Sequence, residues 1–424
     1  MGALRALIMT LGTRGDVQPF VALACGLREV GHTAVLVAPK RFAELIHDAG
    51  VEFRGVDDGP LRVLDGGASV GEIAEGGLRA KVALARRLPG LFGRVLTDCW
   101  DIASAEAPDI VVHNGQIIAG PHVAERLGVP AVLALPIPMY VPTRAFPWPG
   151  VAVPGWLPRS LNRATFLGMK GPALAFARTV DAWRADLGLP RRPGRHNPLR
   201  TPDGGTTPTL HAISEHVVGR PSDWPDAARV TGYWFHRRVD SDLSGELVNF
   251  LAEGPAPVFI GFGSMAGADP ESTTATVLRA AEWAGVRVIL GAAWGGVVAP
   301  PSSPDVLAID EAPFDQLFPH VAAVVHHGGA GTVAAAAAAG RPQVVCPFVG
   351  DQPFWGDRLH SLGVAPPPIP QRGLSAALLA ATISRATTDP DIGRRSVDLG
   401  RRIQTEDGVT RAVIALEAVA GRRP

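Results

Sequence analysis

Chemistry in this 424-residue chain concentrates first in His326, His327, Gly328, Gly329, Ala330, Gly331 and Thr332, and then in Asp351 and Gln352 further along. Small residues between a strand and a helix let a ligand approach the backbone, and the first N–H groups of that helix have no partner within it. With the helix dipole they form an anion site suited to a diphosphate. Two histidines at its lip can donate hydrogen bonds without a fixed charge. A carboxylate and an amide such as Asp351 and Gln352 suit the hydroxyls of a sugar. The competing explanation is a purely structural turn, with Asp351 capping a helix ahead of Pro353. A diphosphate site and a hydroxyl reader on one sheet edge together favour a ligand.

A second constellation lies near the start, in Gly12-Thr13-Arg14-Gly15-Asp16. Asp16 is a carboxylate at the end of a strand, where ligands of open parallel sheets bind, and Gly15 beside it is expected to contact the donor. A capping role for Asp16 is the structural alternative. His113 closes another strand and is expected to neighbour Asp16, orienting it or meeting the acceptor, although a lone histidine at a strand end is more often a satisfied structural residue.

The elements that must position these groups alternate. Residues 3–11, 33–38, 51–56, 109–113, 131–135 and 210–214 read as buried strands, with helices at 20–30, opened by Pro19, and at 41–49, 78–105 and 120–127. Strands at 257–262, 287–290, 306–309, 322–325 and 343–347 and helices at 272–284 and 333–339 repeat the pattern, and 408–420 is a final amphipathic helix. Such βαβ alternation specifies α/β architecture with doubly wound parallel sheets. The expected organisation is an N-terminal acceptor-binding domain over 1–220, a linker over 221–245, a C-terminal nucleotide-sugar-binding domain over 246–405, and a C-terminal segment over 406–424 packing back on the first domain. Residues 59–77 read as an irregular glycine-rich loop. Residues 136–158 are rich in proline and aromatics, and Met139, Tyr140, Phe146, Trp148 and Trp156 are candidates to line an acceptor pocket or to pack on their own domain.

Composition narrows the class. Lys+Arg and Asp+Glu both number 40, so the zero formal charge gives no reason to expect a nucleic-acid partner. The basic residues are nearly all arginine, in keeping with a GC-rich genome. Cys25, Cys99 and Cys346 are widely separated and indicate neither a disulfide framework nor a zinc site. No apolar run approaches bilayer length, so a soluble cytoplasmic protein without stable membrane insertion, monomeric or homodimeric, is expected. Asp240-Ser241-Asp242 and Asp389-Pro390-Asp391 match an Asp-x-Asp pattern but lie away from the expected cleft. No metal and no cofactor are therefore expected, the nucleotide diphosphate sugar being a co-substrate.

A base facing a diphosphate-plus-sugar site is what inverting glycosyl transfer needs. In this reading Asp16 takes the acceptor proton, while Ser264, His326 and the helix N-terminus stabilise the departing diphosphate.

Five segments carry a resemblance: GTRGDVQPFVALA (12–24), VTGYWF (230–235), GFGSM (261–265), HHGGAGT through GDQPFWG (326–356) and GVAPPPIP (363–370). Together they resemble the nucleotide-sugar-dependent glycosyltransferases of the GT-B fold, the inverting family 1. Within it the chain is similar to the sterol 3-beta-glucosyltransferase-like branch and to antibiotic glycosyltransferases of the vancomycin type. The resemblance implies two Rossmann-like domains facing across a cleft. It also implies Asp16 as the acceptor-activating residue, Ser264, His326 and residues 329–332 at the donor diphosphate, and Asp351 and Gln352 at the donor sugar. Glu311, Ala312 and Pro313, with Phe314, would border the nucleobase of a UDP- or dTDP-sugar. Many family members place a histidine in the first turn, where this chain supplies Asp16. The acceptor, a sterol-like molecule or a natural-product aglycone attacked at a hydroxyl or nitrogen, rests on branch analogy. Two other classes compete: a nucleotide-sugar 2-epimerase, and a non-catalytic homologue serving a true transferase.

Overall fold

The computed structural model describes residues 2–61, 78–150, 153, 158–236, 242–263, 269–292, 297–301 and 303–421, with backbone alone at 78–88 and 172. Short apolar runs form its strands: β1 (Arg5–Met9), β2 (Thr33–Pro39), β3 (Glu52–Val56), β4 (Ile110–His113), β5 (Ala131–Leu135), β6 (Thr209–His211), β7 (Ala228–Val230), β8 (Val258–Gly261), β9 (Val288–Gly291), β10 (Val306–Ile309), β11 (Ala323–His326) and β12 (Gln343–Val345). The central ones are buried along their length, as strands covered on both faces must be.

Every strand pairing is parallel. A 7-stranded sheet runs β3-β2-β1-β4-β5-β6-β7, and a 5-stranded sheet runs β10-β9-β8-β11-β12. In both, the order reverses once, between β1 and β4 and between β8 and β11. The crevice at such a reversal is where open α/β sheets bind ligands. Side-chain alternation divides the first sheet cleanly. Ala6, Ile8, Leu36, Val112 and Val132 pack toward the helix Arg14–Glu29. Leu7, Met9, Val35, Val37 and Val111 face the opposite layer, which includes Val123 and Ala124 of the helix Gly120–Leu127.

Two boundaries differ from the sequence expectation, each for a local reason. The first helix spans Arg14–Glu29 with Pro19 inside it. Proline there deprives only the Gly15 carbonyl of its helical donor, while Thr13 and Asp16 supply an earlier start. Residues 228–230 lie within the stretch expected to link the domains, yet β7 pairs with β6 as the edge of the first sheet. The chain also crosses back at its end. Ala412, Val413, Ala415, Leu416 and Ala420 of the helix Gly408–Ala420 join the core built on the helix Arg14–Glu29. Among the described residues no helix is long and apolar enough to cross a membrane.

Candidate active site

The first half of the site forms where β1 and β4 diverge. Thr13 opens the helix Arg14–Glu29, and Asp16 in its first turn reaches back. Its Oδ2 accepts the Thr13 backbone N–H at 2.8 Å and the Thr13 hydroxyl at 3.0 Å. Those bonds and the helix dipole favour the carboxylate here. Gly12 permits the arrangement, because its φ of +138° is unsuited to a side chain and an added Cβ would come within 2.3 Å of Asp16 Oδ2. Burial nevertheless raises the Asp16 pKa above its usual value, against opposing hydrogen bonds from Thr13 and Gln116. Tyr140 also borders this carboxylate, which together with burial pushes the phenol pKa upward, and its hydroxyl donates to the Gly115 carbonyl at 2.5 Å.

The second half forms where β8 and β11 diverge. The helix Ala330–Ala338 opens at Gly329 with no side-chain cap, which leaves its first N–H groups for another acceptor. His327 packs beside Gly263 and Gly329, and its Nδ1 is buried without a partner. Burial lowers the His327 pKa to about 4, so the ring is neutral at pH 7. Asp351 stands at the start of the helix Gln352–Ser361, its Oδ2 accepting the Trp355 indole N–H at 2.6 Å. Burial raises the Asp351 pKa to about 6, with the Trp355 bond opposing and the negative charge of Asp16 adding to the rise. Arg14, in the turn that carries Asp16, pairs with Glu311 of the second domain at 2.7 Å, so the two halves meet at one gap.

Residues 6–144 match the model of the Glycosyltransferase family 28 N-terminal domain. Residues 298–418 match the C-terminal domain of the erythromycin biosynthesis protein CIII-like family. The O-mycaminosyltylonolide 6-deoxyallosyltransferase of Streptomyces fradiae is 35% identical, covering 99% of this chain and 98% of its own. This chain belongs to the glycosyltransferases. A sterol 3-beta-glucosyltransferase of Aspergillus clavatus is 33% identical over 98% of the chain, which spans only 30% of that fungal protein. The glycosyltransferase VinC, solved in complex with dTDP, superimposes with a TM-score of 0.69 at 20% identity, covering 99% of this chain and 100% of its own. That likeness establishes the GT-B fold.

In this glycosyltransferase several residues singled out in the sequence stand elsewhere than expected. His113 does not partner Asp16. Strand alternation turns it to the other face of the sheet, where its ring lies on Gly120 and Nδ1 bonds the Asn114 carbonyl at 2.9 Å. His326 is fully buried, and both its ring nitrogens are engaged. Nδ1 accepts the Gly328 N–H at 3.0 Å, so Nε2 carries the proton and donates to Gln343 Oε1 at 2.9 Å. It braces the glycine turn and has no nitrogen left for a phosphate. Gln352 is buried too, its amide oxygen accepting the N–H groups of Phe348 at 2.7 Å and Val349 at 3.2 Å. That oxygen shapes the loop and is not free for a sugar hydroxyl. Glu311 pairs with Arg14 of the first domain at 2.7 Å. Ala312 and Phe314 pack with the core beneath β8 and β11, and Pro313 opens the short helix Phe314–Leu317. Ser264, Trp156 and residues 240–241 lie outside the described residues, as does most of the 59–77 loop. Asp389 caps the helix Pro390–Gln404.

The aromatic segment divides by role. Tyr140 stands beside Asp16, and Met139 next to it is half-buried. Phe146 bridges the domains, 5.3 Å from the Phe354 ring, and Trp148 packs on Gly150 and Gly168. Sequence reasoning missed Gln343, Asn114 and Gln116. Gln343 left one signal, a polar residue opening an apolar strand.

Proposed function

We propose that this chain transfers a glycosyl group, with inversion, from a UDP- or dTDP-sugar to a hydroxyl of an apolar small molecule of the aglycone or sterol-like class. The observation that carries the reading is that Asp16, anchored through Oδ2 by Thr13, lies in the helix turn whose Arg14 pairs at 2.7 Å with Glu311 of the second domain, the domain that holds the glycine turn and Asp351. The acceptor O–H gives its proton to the Asp16 carboxylate. Its oxygen then bonds the anomeric carbon on the face opposite the leaving group, and the carbon–oxygen bond to the diphosphate breaks with its electron pair. The uncapped N-terminus of the helix Ala330–Ala338 and neutral His327 stabilise the charge that develops on the diphosphate. Asp351 accepts from a donor-sugar hydroxyl. The names of the macrolide- and sterol-modifying relatives support an apolar acceptor, and the VinC complex supports a nucleoside diphosphate donor.

Asp16→Asn tests it. The amide oxygen of asparagine still accepts the Thr13 bonds, so folding and donor binding persist while turnover falls about 10²–10⁴-fold. Product taken from a panel of aglycones should carry the inverted anomeric configuration by NMR, and donor alone should give slow hydrolysis. Normal turnover in Asp16→Asn, retained configuration, or an epimerised sugar without acceptor would each overturn the proposal.

A further inference from the structure

The loop after β4 carries a polar network that the reaction as described does not use. Asn114 is 2% exposed, and every bond it makes has a direction. Its Oδ1 accepts the backbone N–H groups of Gln116 at 3.2 Å, Ile117 at 3.0 Å and Leu11 at 3.4 Å. Its Nδ2 donates to Thr10 Oγ1 at 2.9 Å, to the Leu11 carbonyl at 2.8 Å and to Gln116 Oε1 at 3.1 Å. Exchanging oxygen and nitrogen would set an amide N–H₂ against three N–H donors, so the orientation is unique. Two consequences reach Asp16. The Thr10 hydroxyl, accepting from Asn114, sends its own proton to the Asp16 carbonyl at 2.7 Å. The Gln116 oxygen, also accepting from Asn114, leaves its N–H₂ group as the only end that can meet the Asp16 carboxylate.

We propose that Gln116 is a positioning residue for the catalytic base, its amide turned by Asn114 so that it donates to the Asp16 carboxylate and holds it ionised and oriented. The Gln116 side chain is exposed, so packing does not account for its order. Space confirms the closeness: a Cβ on Gly12 would lie 2.3 Å from Asp16 Oδ2 and 2.5 Å from Gln116 Oε1. Among the described residues the Asp16 charge acts on Tyr140 and on Asp351 of the second domain, and the neighbouring Arg14 is paired with Glu311.

The inference rests on Asp16 being the base, so its test reads Asp16 in two ways. Wild type, Gln116→Met and Gln116→Glu are compared by the pH profile of kcat/KM and by the ¹³C titration of the Asp16 carboxyl. Methionine keeps the length and removes the donor, while glutamate also adds a like charge. A lost donor to the ionised form raises the pKa, so in Gln116→Met the titration and the acid limb of the profile both move up by about one pH unit. In Gln116→Glu they move further. The donor KM and the thermal transition stay at wild-type values. An Asp16 titration unmoved in Gln116→Met would overturn the positioning role. A titration that moves while the rate profile does not would instead remove Asp16 as base, leaving the hydrogen bond in place.

Discussion

Arg14 and Glu311 join the two domains, guanidinium to carboxylate at 2.7 Å. Arg14 lies in the turn that carries Asp16, and Glu311 follows β10, so the pair ties the base-bearing loop to the domain with the glycine turn. Both side chains are substantially exposed, 37% and 59%, so the pair contributes under about 1 kcal/mol and is screened by salt. Arg14→Ala and Glu311→Ala should therefore raise the donor KM by the same small factor, with no added effect in the double variant and none in high salt. If Glu311 acted on the nucleobase, Glu311→Ala alone would raise the donor KM at every salt concentration.

Gly12 is a tight point of the first half-site. In Gly12→Ala the new methyl group would have to displace the Asp16 carboxylate or the Gln116 amide at a φ of +138°. Residues held in such backbone regions cost about 1–3 kcal/mol, so the melting temperature should fall. Turnover should fall as well, because the carboxylate leaves its place. A variant that melts lower yet turns over normally would show that the position of Asp16 is not critical.

The sequence conveys the fold because apolar runs and glycine punctuation are local signals. β5, β10 and the helices Gly120–Leu127 and Gly408–Ala420 match their expected bounds. The exchange between domains is harder to see. β7 is three residues long and is held by pairing rather than by its own composition. At the site, residue types point to strand ends but not to the direction of each side chain. By type, His113 suits a place beside Asp16 and His326 a place at the diphosphate, whereas alternation and burial make one a packing residue and the other a brace. Gln116 and Asn114 carried no signal, since amides in a loop are common and only the fold sets them against Asp16.

His326 and His327 should separate sharply by mutation. His326→Ala leaves the Gly328 N–H and the buried Gln343 Oε1 without partners. One unsatisfied buried group costs about 1–3 kcal/mol, so the melting temperature should drop by several degrees. His327 makes no comparable bond through Nδ1, which is unpartnered. His327→Ala should melt near wild type while raising the KM for the nucleoside diphosphate sugar. Thermal melts beside donor kinetics decide the matter, and the opposite assignment would return the phosphate role to His326.

Asp351 gives a pH dependence whose sign can be fixed in advance. Its pKa is raised from 3.8 to about 6 in the folded chain, so the folded state holds that proton more tightly than the unfolded one. The resulting stabilisation is fully present below the unfolded value and is lost as pH rises through about 6. Asparagine mimics the protonated group and keeps an oxygen for the Trp355 indole. Asp351→Asn should therefore melt higher than wild type at about pH 8, the difference shrinking as pH falls toward the ordinary carboxylate range. It should also raise the donor KM, since an amide is a weaker acceptor than a carboxylate for a sugar hydroxyl. Melts across this range that show Asp351→Asn less stable at high pH would mean that the ionised carboxylate is held by favourable bonds that outweigh its burial.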